Sequence, residues 1–157
     1  MTGETVATDV RIRPPTEADL PVIAALIGQL GYPTTVAAVR ERLTAIERAG
    51  GQHLLVAEVD GQVAGLAAVQ ITRPVQMDGA RAELATLVTD DRYRRRGVAR
   101  ALVAEAESIA SREGCALFFL RTNKRRAESH DFYRALGFRE THLDFEKELQ
   151  HGRRGRS

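Results

Sequence analysis

A mixed α/β fold, with a central sheet of parallel and antiparallel strands flanked by helices, is what this sequence predicts. Three observations carry that expectation. Two apolar runs are separated by Asp60-Gly61, a hairpin signature, because a tight two-residue turn needs positive φ. The stretch from Ala82 to Arg121 reads strand, helix, strand, and is long enough to be a crossover joining parallel strands. The 157 residues contain no repeat and no interdomain linker, and that length suits one domain with one sizeable core.

The elements follow in order. Val10 to Arg13 alternates and stops at Pro14-Pro15, a short strand. Thr16 to Asp19 starts a helix with a capping-type side chain and early acids, and Leu20, Ile23, Ile27 and Leu30 continue it at helical spacing until Gly31 and Pro33. Thr35 can cap a second helix with the stripe Val36, Val39, Leu43 and Ile46, ended by Gly50-Gly51. The hairpin strands are Leu54 to Val59 and Gln62 to Ile71. A loop over Thr72 to Gly79 leads to a central strand, Ala82 to Thr89, with Glu83 as its one charged residue. From Val98 a helix buries Ala99, Leu102, Val103, Ala106, Ile109 and Ala110, and Gly114 ends it. Cys115 to Arg121 is a strand, Ser129 to Leu136 a short helix, and Phe138 begins one or two terminal strands. The expected organisation is one domain over residues 10–149, between a flexible N-terminus, 1–9, and a disordered basic tail, 150–157.

Composition narrows the function classes. Apolar residues make up 43% and charged residues 28%, as in an ordinary soluble globular protein. No apolar run is long enough for a membrane helix, and the first ten residues lack a signal-peptide core. The single cysteine, Cys115, has no internal disulfide partner and reads as a small buried residue. With no Cys/His ligand spacing, no metal is expected. The reducing cytoplasm is the simplest compartment. Net charge is only +2, but Arg92, Arg94, Arg95, Arg96 and Arg100 fall together, and Arg121, Lys124, Arg125 and Arg126 form a second group. Such local fields suit a phosphorylated or otherwise anionic ligand, although an arginine group can also be a solvated face. Aromatics are few and no nucleic-acid motif is visible, so no nucleic-acid partner is expected.

The most informative stretch runs from Leu87 to Leu102: a buried strand ends, a basic loop follows, and a helix begins at Gly97. The first turn of a helix offers unpaired N–H groups and the positive end of its dipole. Gly97 and Ala99 let a ligand approach that backbone, and arginines add fork-shaped donors for phosphate oxygens. Together these make a diphosphate site. It has neither the Gly-Lys-Ser/Thr ending of a Walker loop nor the Gly-x-Gly-x-x-Gly of dinucleotide folds.

Arg94-x-x-Gly97-x-Ala99 resembles the Arg/Gln-x-x-Gly-x-Gly/Ala signature of the GNAT acetyltransferases, in the same place between the fourth strand and third helix. Ser129-His-Asp-Phe-Tyr-Arg-Ala-Leu-Gly-Phe138 is similar to that family's later helix motif. The helix-helix-hairpin order also fits, so the resemblance spans roughly Val10 to Lys147. It implies an acetyl-CoA-dependent N-acetyltransferase acting on a small-molecule or peptide amine, with homodimerisation common in the family. It implies that the backbone of Leu87, Val88 and Thr89 pairs with the pantetheine arm. The turn of Arg94, Arg95, Arg96, Gly97, Val98, Ala99 and Arg100 would hold the pyrophosphate. The sequence departs from the pattern at Ala99, in place of the second glycine, and at Arg126 and Ser129, where the later motif often has Asn and Ala. A non-catalytic acyl-CoA-binding sensor is the alternative.

Acyl transfer from a thioester to an amine needs a neutral amine, a donor to the tetrahedral oxyanion and a proton for the departing thiolate. By resemblance, Tyr133 matches the tyrosine that protonates sulfur; the other reading is a core aromatic, because Phe132 to Phe138 is an apolar cluster. Glu83, the one carboxylate in the fourth strand, is the candidate base, or else an outward-facing edge residue. An N–H near Val88 is the implied oxyanion donor. Ser129-His130-Asp131 contains triad residue types, but consecutive helical residues diverge, so a hydrolase triad is not expected.

Overall fold

The computed structural model describes residues 9–122 and 127–150. All but residue 9 of the expected N-terminal segment (1–9), all but residue 150 of the expected basic tail (150–157) and the basic residues Lys124, Arg125 and Arg126 lie outside the described residues. The chain divides between Arg121 and Thr122 into two compact units.

The first unit is a five-stranded sheet in sequential order. Its strands are β1 (Val10–Arg13), β2 (Gln52–Val59), β3 (Gln62–Thr72), β4 (Ala80–Thr89) and β5 (Cys115–Leu120). All neighbours are antiparallel except β4 and β5, which run parallel. The mixed sheet expected from the hairpin and the crossover is therefore present. Asp60 and Gly61 both have positive φ, 52° and 77°, so the hairpin turn has the geometry its sequence demands.

Helices α1 (Leu20–Leu30) and α2 (Val36–Ala49) connect β1 to β2. Thr35 Oγ1 accepts the Ala38 N–H at 3.1 Å, capping α2 as its sequence signals. Leu20, Ile23 and Leu26 of α1 and Val39 of α2 are buried against Val56, Val63, Leu66 and Val88 of the sheet. Leu26, at i+3 from Ile23, takes the central place that the periodicity assigned to Ile27, which is only partly buried. Helix α3 (Val98–Arg112) buries Val98, Leu102, Val103, Ala106, Ile109 and Ala110. Gly65 of β3 sets how closely it seats. A Cβ there would lie 2.7 Å from Val98 Cγ1, 3.0 Å from Leu102 Cδ1 and 3.1 Å from the Val88 carbonyl oxygen.

Arg13 ties the entry of α1 to the sheet. It forms bidentate bonds to Asp19, at 2.7 and 3.0 Å, and pairs with Glu58 of β2. Asp19 also accepts the Thr16 N–H at 2.7 Å across a short 3₁₀ turn, Glu17–Asp19. The Arg13 bonds, reinforced by those from Thr16 and opposed by burial, lower the Asp19 pKa from 3.8 to about 2. A depressed carboxylate pKa stabilises the fold above the unfolded value, and that contribution is lost as pH falls through the folded one. Urea unfolding should therefore show Asp19 contributing on the order of 2 kcal/mol at neutral pH, fading between pH 4 and 2, with Asp19→Asn flattening that slope.

The second unit contains α4 (Ala127–Ala135). The terminal strands expected from Phe138 onward are not there: residues 138–149 carry no strand. Leu143, Phe145 and Leu149 of that run are exposed. A segment becomes a strand only when a ladder partner supplies hydrogen bonds, and the described residues of this unit contain no strand.

Candidate active site

β4 is the element that builds the site, and its two halves differ. From Ala80 to Leu84 it pairs with β3 on one side and β5 on the other; the β5 pairing ends at Leu84↔Leu120. From Thr86 to Thr89 it pairs with β3 alone. Among the described residues, the outer edge of this second half has no strand beside it. Where the two halves join, the register against β3 slips, with Ala68 opposite Thr86 and Val69 opposite Leu84. Ala85 is the extra residue, a β-bulge that bends the strand away from β5 at the fork.

The bulge also decides which side chains share a face. Val88 lies opposite Leu66, and both belong to the core under α1 and α2. Glu83 lies opposite Gln70, four residues along β3 from Leu66 and so on the same face. Glu83 and Val88 therefore share a face although they are five residues apart. Glu83 is half-buried, with Arg121 Nη1 at 3.7 Å from its carboxylate.

The backbone after β4 is held from three directions. Asp90 donates its N–H to the Ala64 carbonyl of β3 at 2.8 Å. Since successive residues of a strand direct their peptide groups to opposite edges, Leu87 and Thr89 direct theirs to the open edge. The buried Asp90 carboxylate accepts the Arg92 N–H at 2.9 Å and the Arg92 guanidinium at 3.0 and 3.2 Å. The Arg92 guanidinium holds that carboxyl below its ordinary pKa, against the opposing effect of burial. Gln29 of α1 accepts the Asp91 N–H through Oε1 at 3.1 Å. Neither Asp90 nor Gln29 stands out in the sequence. Their roles depend on contacts with Ala64 and across 62 positions.

The turn runs through Arg94, Arg95 and Arg96 to Gly97, which caps α3 in the left-handed conformation at φ 79°. Arg95 is also left-handed, at φ 64°, a conformation that costs a side-chain-bearing residue on the order of 1–2 kcal/mol. A Cβ on Gly97 would meet nothing within 4 Å, so the chain leaves open space beside this residue. The arginines are less free than their clustering suggests. Arg92 pairs with Asp90, Arg94 with Asp91 at 2.8 Å, and Arg96 with Asp60 at 3.5 Å. Arg92 and Arg96 also approach the Tyr93 ring, with centroid distances of 5.8 and 5.5 Å. Arg95 and Arg100 carry no ion pair among the described residues. The aspartates fix the shape of the turn, and the unpaired cations and the α3 N-terminus leave it attractive to anions.

In the second unit, Tyr133 is half-buried and packs edge-on against Phe132, 5.3 Å away, and Phe138, 5.8 Å away. Its carbonyl accepts the Leu136 and Phe138 N–H groups at the end of α4. The aromatic cluster expected around it is present. Cys115 is partly buried, and desolvation pushes its thiol pKa up, which leaves it protonated at neutral pH. Among the described residues no group of three or more His, Cys, Asp or Glu side chains could hold a metal ion, and no helix is long and apolar enough to cross a membrane.

Residues 24–138 match the model of the Acetyltransferase (GNAT) family, a match that runs across the division between the two units. No curated protein sequence matches the chain. Solved structures do. A transcriptional regulator from Bacillus halodurans C-125 is 26% identical with a TM-score of 0.81, covering 90% of this chain and 100% of that one. A Trypanosoma brucei acetyltransferase is 25% identical with a TM-score of 0.76 and the same coverage. The aminoglycoside N-acetyltransferase AAC(6')-Iy, in complex with CoA, shares the fold at 23% identity and a TM-score of 0.78, covering 90% of this chain and 95% of that one.

Proposed function

Because the chain belongs to the GNAT acetyltransferase family, we propose that it transfers the acetyl group of acetyl-CoA to a primary amine of a small molecule or peptide, by direct attack within a ternary complex. The observation that carries this reading is the open outer edge of β4, which leads without interruption into the basic turn and the N-terminus of α3. An extended pantetheine arm can add to such an edge as a strand would. A diphosphate can then sit on the N–H groups that open α3.

Each group has a defined task in this reading. Leu87, Val88 and Thr89 carry the pantetheine arm. Arg94, Arg95, Arg96, Gly97, Val98, Ala99 and Arg100 receive the pyrophosphate. Glu83 takes a proton from the amine, directly or through water. The amine nitrogen bonds to the thioester carbon, the carbon–sulfur bond breaks, and Tyr133 gives its phenolic proton to the departing thiolate. A backbone N–H near Val88 donates to the carbonyl oxygen as it becomes an oxyanion, a role supported by the direction of the Leu87 N–H toward the open edge. No covalent enzyme intermediate and no metal are needed. A small-molecule acceptor is supported by the structural likeness to aminoglycoside acetylation enzymes, and a cytoplasmic setting by the lone cysteine.

The test combines binding with turnover. Acetyl-CoA at about one hundred times its Kd should stabilise the folded state by roughly 2.7 kcal/mol, raising Tm by roughly 5–10 °C. Amine-dependent release of free thiol should follow when a panel of primary amines is offered. Tyr133→Phe should lower kcat by about tenfold to a hundredfold with little change in the acetyl-CoA KM. No melting shift would sink the coenzyme A reading, and an unchanged kcat in Tyr133→Phe would remove that residue from the chemistry.

A further inference from the structure

Around Glu83 the sheet carries more positive than negative charge. Glu83 is the one carboxylate in β3, β4 and β5. Arg81 lies two residues before it on β4 and projects to the same side. Arg121 follows β5 directly and comes within 3.7 Å of the Glu83 carboxylate. The parallel register puts Leu117 beside Arg81 and Phe119 beside Glu83. On the other side, Thr72 and Gln70 of β3 stand opposite the same two residues. Gln70, Thr72 and Leu117 are exposed, so solvent reaches this end of the face. Helices α1 and α2 cover the other end, around Val56, Leu66 and Val88.

Arg81 differs from the other placed arginines of the first unit. Arg13, Arg92, Arg94 and Arg96 are each neutralised by an aspartate. Half-buried Arg81 has no ion pair among the described residues; its guanidinium lies over the Phe119 ring, with Cζ 4.1 Å from the centroid. Stacking holds the flat face of the guanidinium and leaves the N–H groups along its edge to donate outward. That fork fits the paired oxygens of a carboxylate or a phosphate. Residues 81 and 83 are roughly 7 Å apart along the strand, a gap that a short carbon chain spans.

We propose that Arg81 is a specificity determinant for the acceptor, which carries a carboxylate or phosphate a few bonds from its amine. The oxyanion seats on the Arg81 fork, the exposed Leu117 lies beside the linking carbons, and the amine faces Glu83. Arg121 adds to the positive field. An acceptor with a second ammonium group in place of the oxyanion is disfavoured, because that group meets like charge. The inference rests on the reading of this chain as an acetyltransferase and names the class of its acceptor.

The experiment follows thiol release at saturating acetyl-CoA with butylamine, γ-aminobutyrate and diaminobutane, which share a carbon chain and differ in the charge at its far end. Ethanolamine and phosphoethanolamine repeat the comparison for phosphate and tell the two oxyanions apart. In the wild type, kcat/KM for the better oxyanion-bearing amine should exceed that of its counterpart about tenfold to a hundredfold, the worth of charge-assisted hydrogen bonds. Diaminobutane should be the poorest of the series. Arg81→Met keeps an unbranched stem on Phe119 and should bring the two amines of that pair within about threefold of each other. Arg81→Glu should reverse the order in favour of diaminobutane. The melting shift given by acetyl-CoA should be the same in all three proteins, which reports that both variants fold and bind the donor. A wild type that prefers diaminobutane, or does not distinguish these amines by charge, overturns the proposal. So does a preference for oxyanions that survives in Arg81→Met. No melting shift in the wild type overturns the functional reading itself, whereas a shift without thiol release from either oxyanion-bearing amine overturns this inference alone.

Discussion

Gly97→Glu is expected to abolish the thermal stabilisation that acetyl-CoA gives the wild-type protein, through a loss of affinity of at least about a hundredfold. Gly97 caps α3 at φ 79°, ψ 11°. Any side chain there bears the steric penalty of the left-handed region, on the order of 1 kcal/mol. The Cβ of the new side chain meets no protein atom within 4 Å. The carboxylate is even favourable to the free protein, because an anion at a helix N-terminus is stabilised by the helix dipole. The unliganded variant should therefore melt within a few degrees of wild type while rejecting the ligand, since its own carboxylate would occupy the place proposed for the diphosphate. Gly97→Ala separates the two effects. It has the strained backbone and a methyl group but no charge, and should weaken binding only about tenfold. The measurement is Tm for the three proteins with and without saturating acetyl-CoA. Equal shifts in wild type and Gly97→Glu would show that the N-terminus of α3 is not where the diphosphate sits.

That prediction depends on features the sequence displays openly, and the reason is locality. Asp60-Gly61, Thr35 before α2, and Gly97 at the start of α3 each act on neighbours within a few positions, so their residue types reveal their conformations. The β4–α3–β5 unit is legible for the same reason, as one continuous stretch whose period changes from strand to helix and back. What stays hidden is long-range. Three of the five clustered arginines are tied to Asp60, Asp90 and Asp91. An acid across the hairpin looks unrelated to a basic turn until the chain has folded. Gly65 reads as a weak point in a strand, yet its missing side chain is what lets Val98 and Leu102 sit directly on β3. The strands expected from Phe138 mislead in the opposite sense. A strand needs a ladder partner, which local sequence does not supply, and residues 138–149 carry no strand.

The bulge at Ala85 is the hidden feature with the largest chemical consequence, and it sets the expected behaviour of Glu83→Gln. In a regular strand, Glu83 and Val88, five residues apart, would project to opposite faces, and a base on β4 would be remote from a carbonyl held at Leu87 to Thr89. The extra residue rotates the register, so Glu83 shares a face with Val88 just before the point where β4 leaves β5. Arg121, 3.7 Å from the carboxylate, balances its charge without burying it. Replacing Glu83 by Gln keeps the shape and removes the proposed proton acceptor. We expect kcat to fall by about a hundredfold, the lower range for loss of a general base, while the acetyl-CoA KM stays within about twofold because the proposed donor contacts lie further along the strand. With no base, turnover must draw on amine already free in solution. The residual rate should then climb with pH by about tenfold per unit until the acceptor amine is fully deprotonated, whereas the wild-type rate should level off earlier. A parallel loss of donor affinity and kcat would mark Glu83 as a support for the fork between β4 and β5. An unchanged kcat would move the proton acceptor to another group or to bulk water.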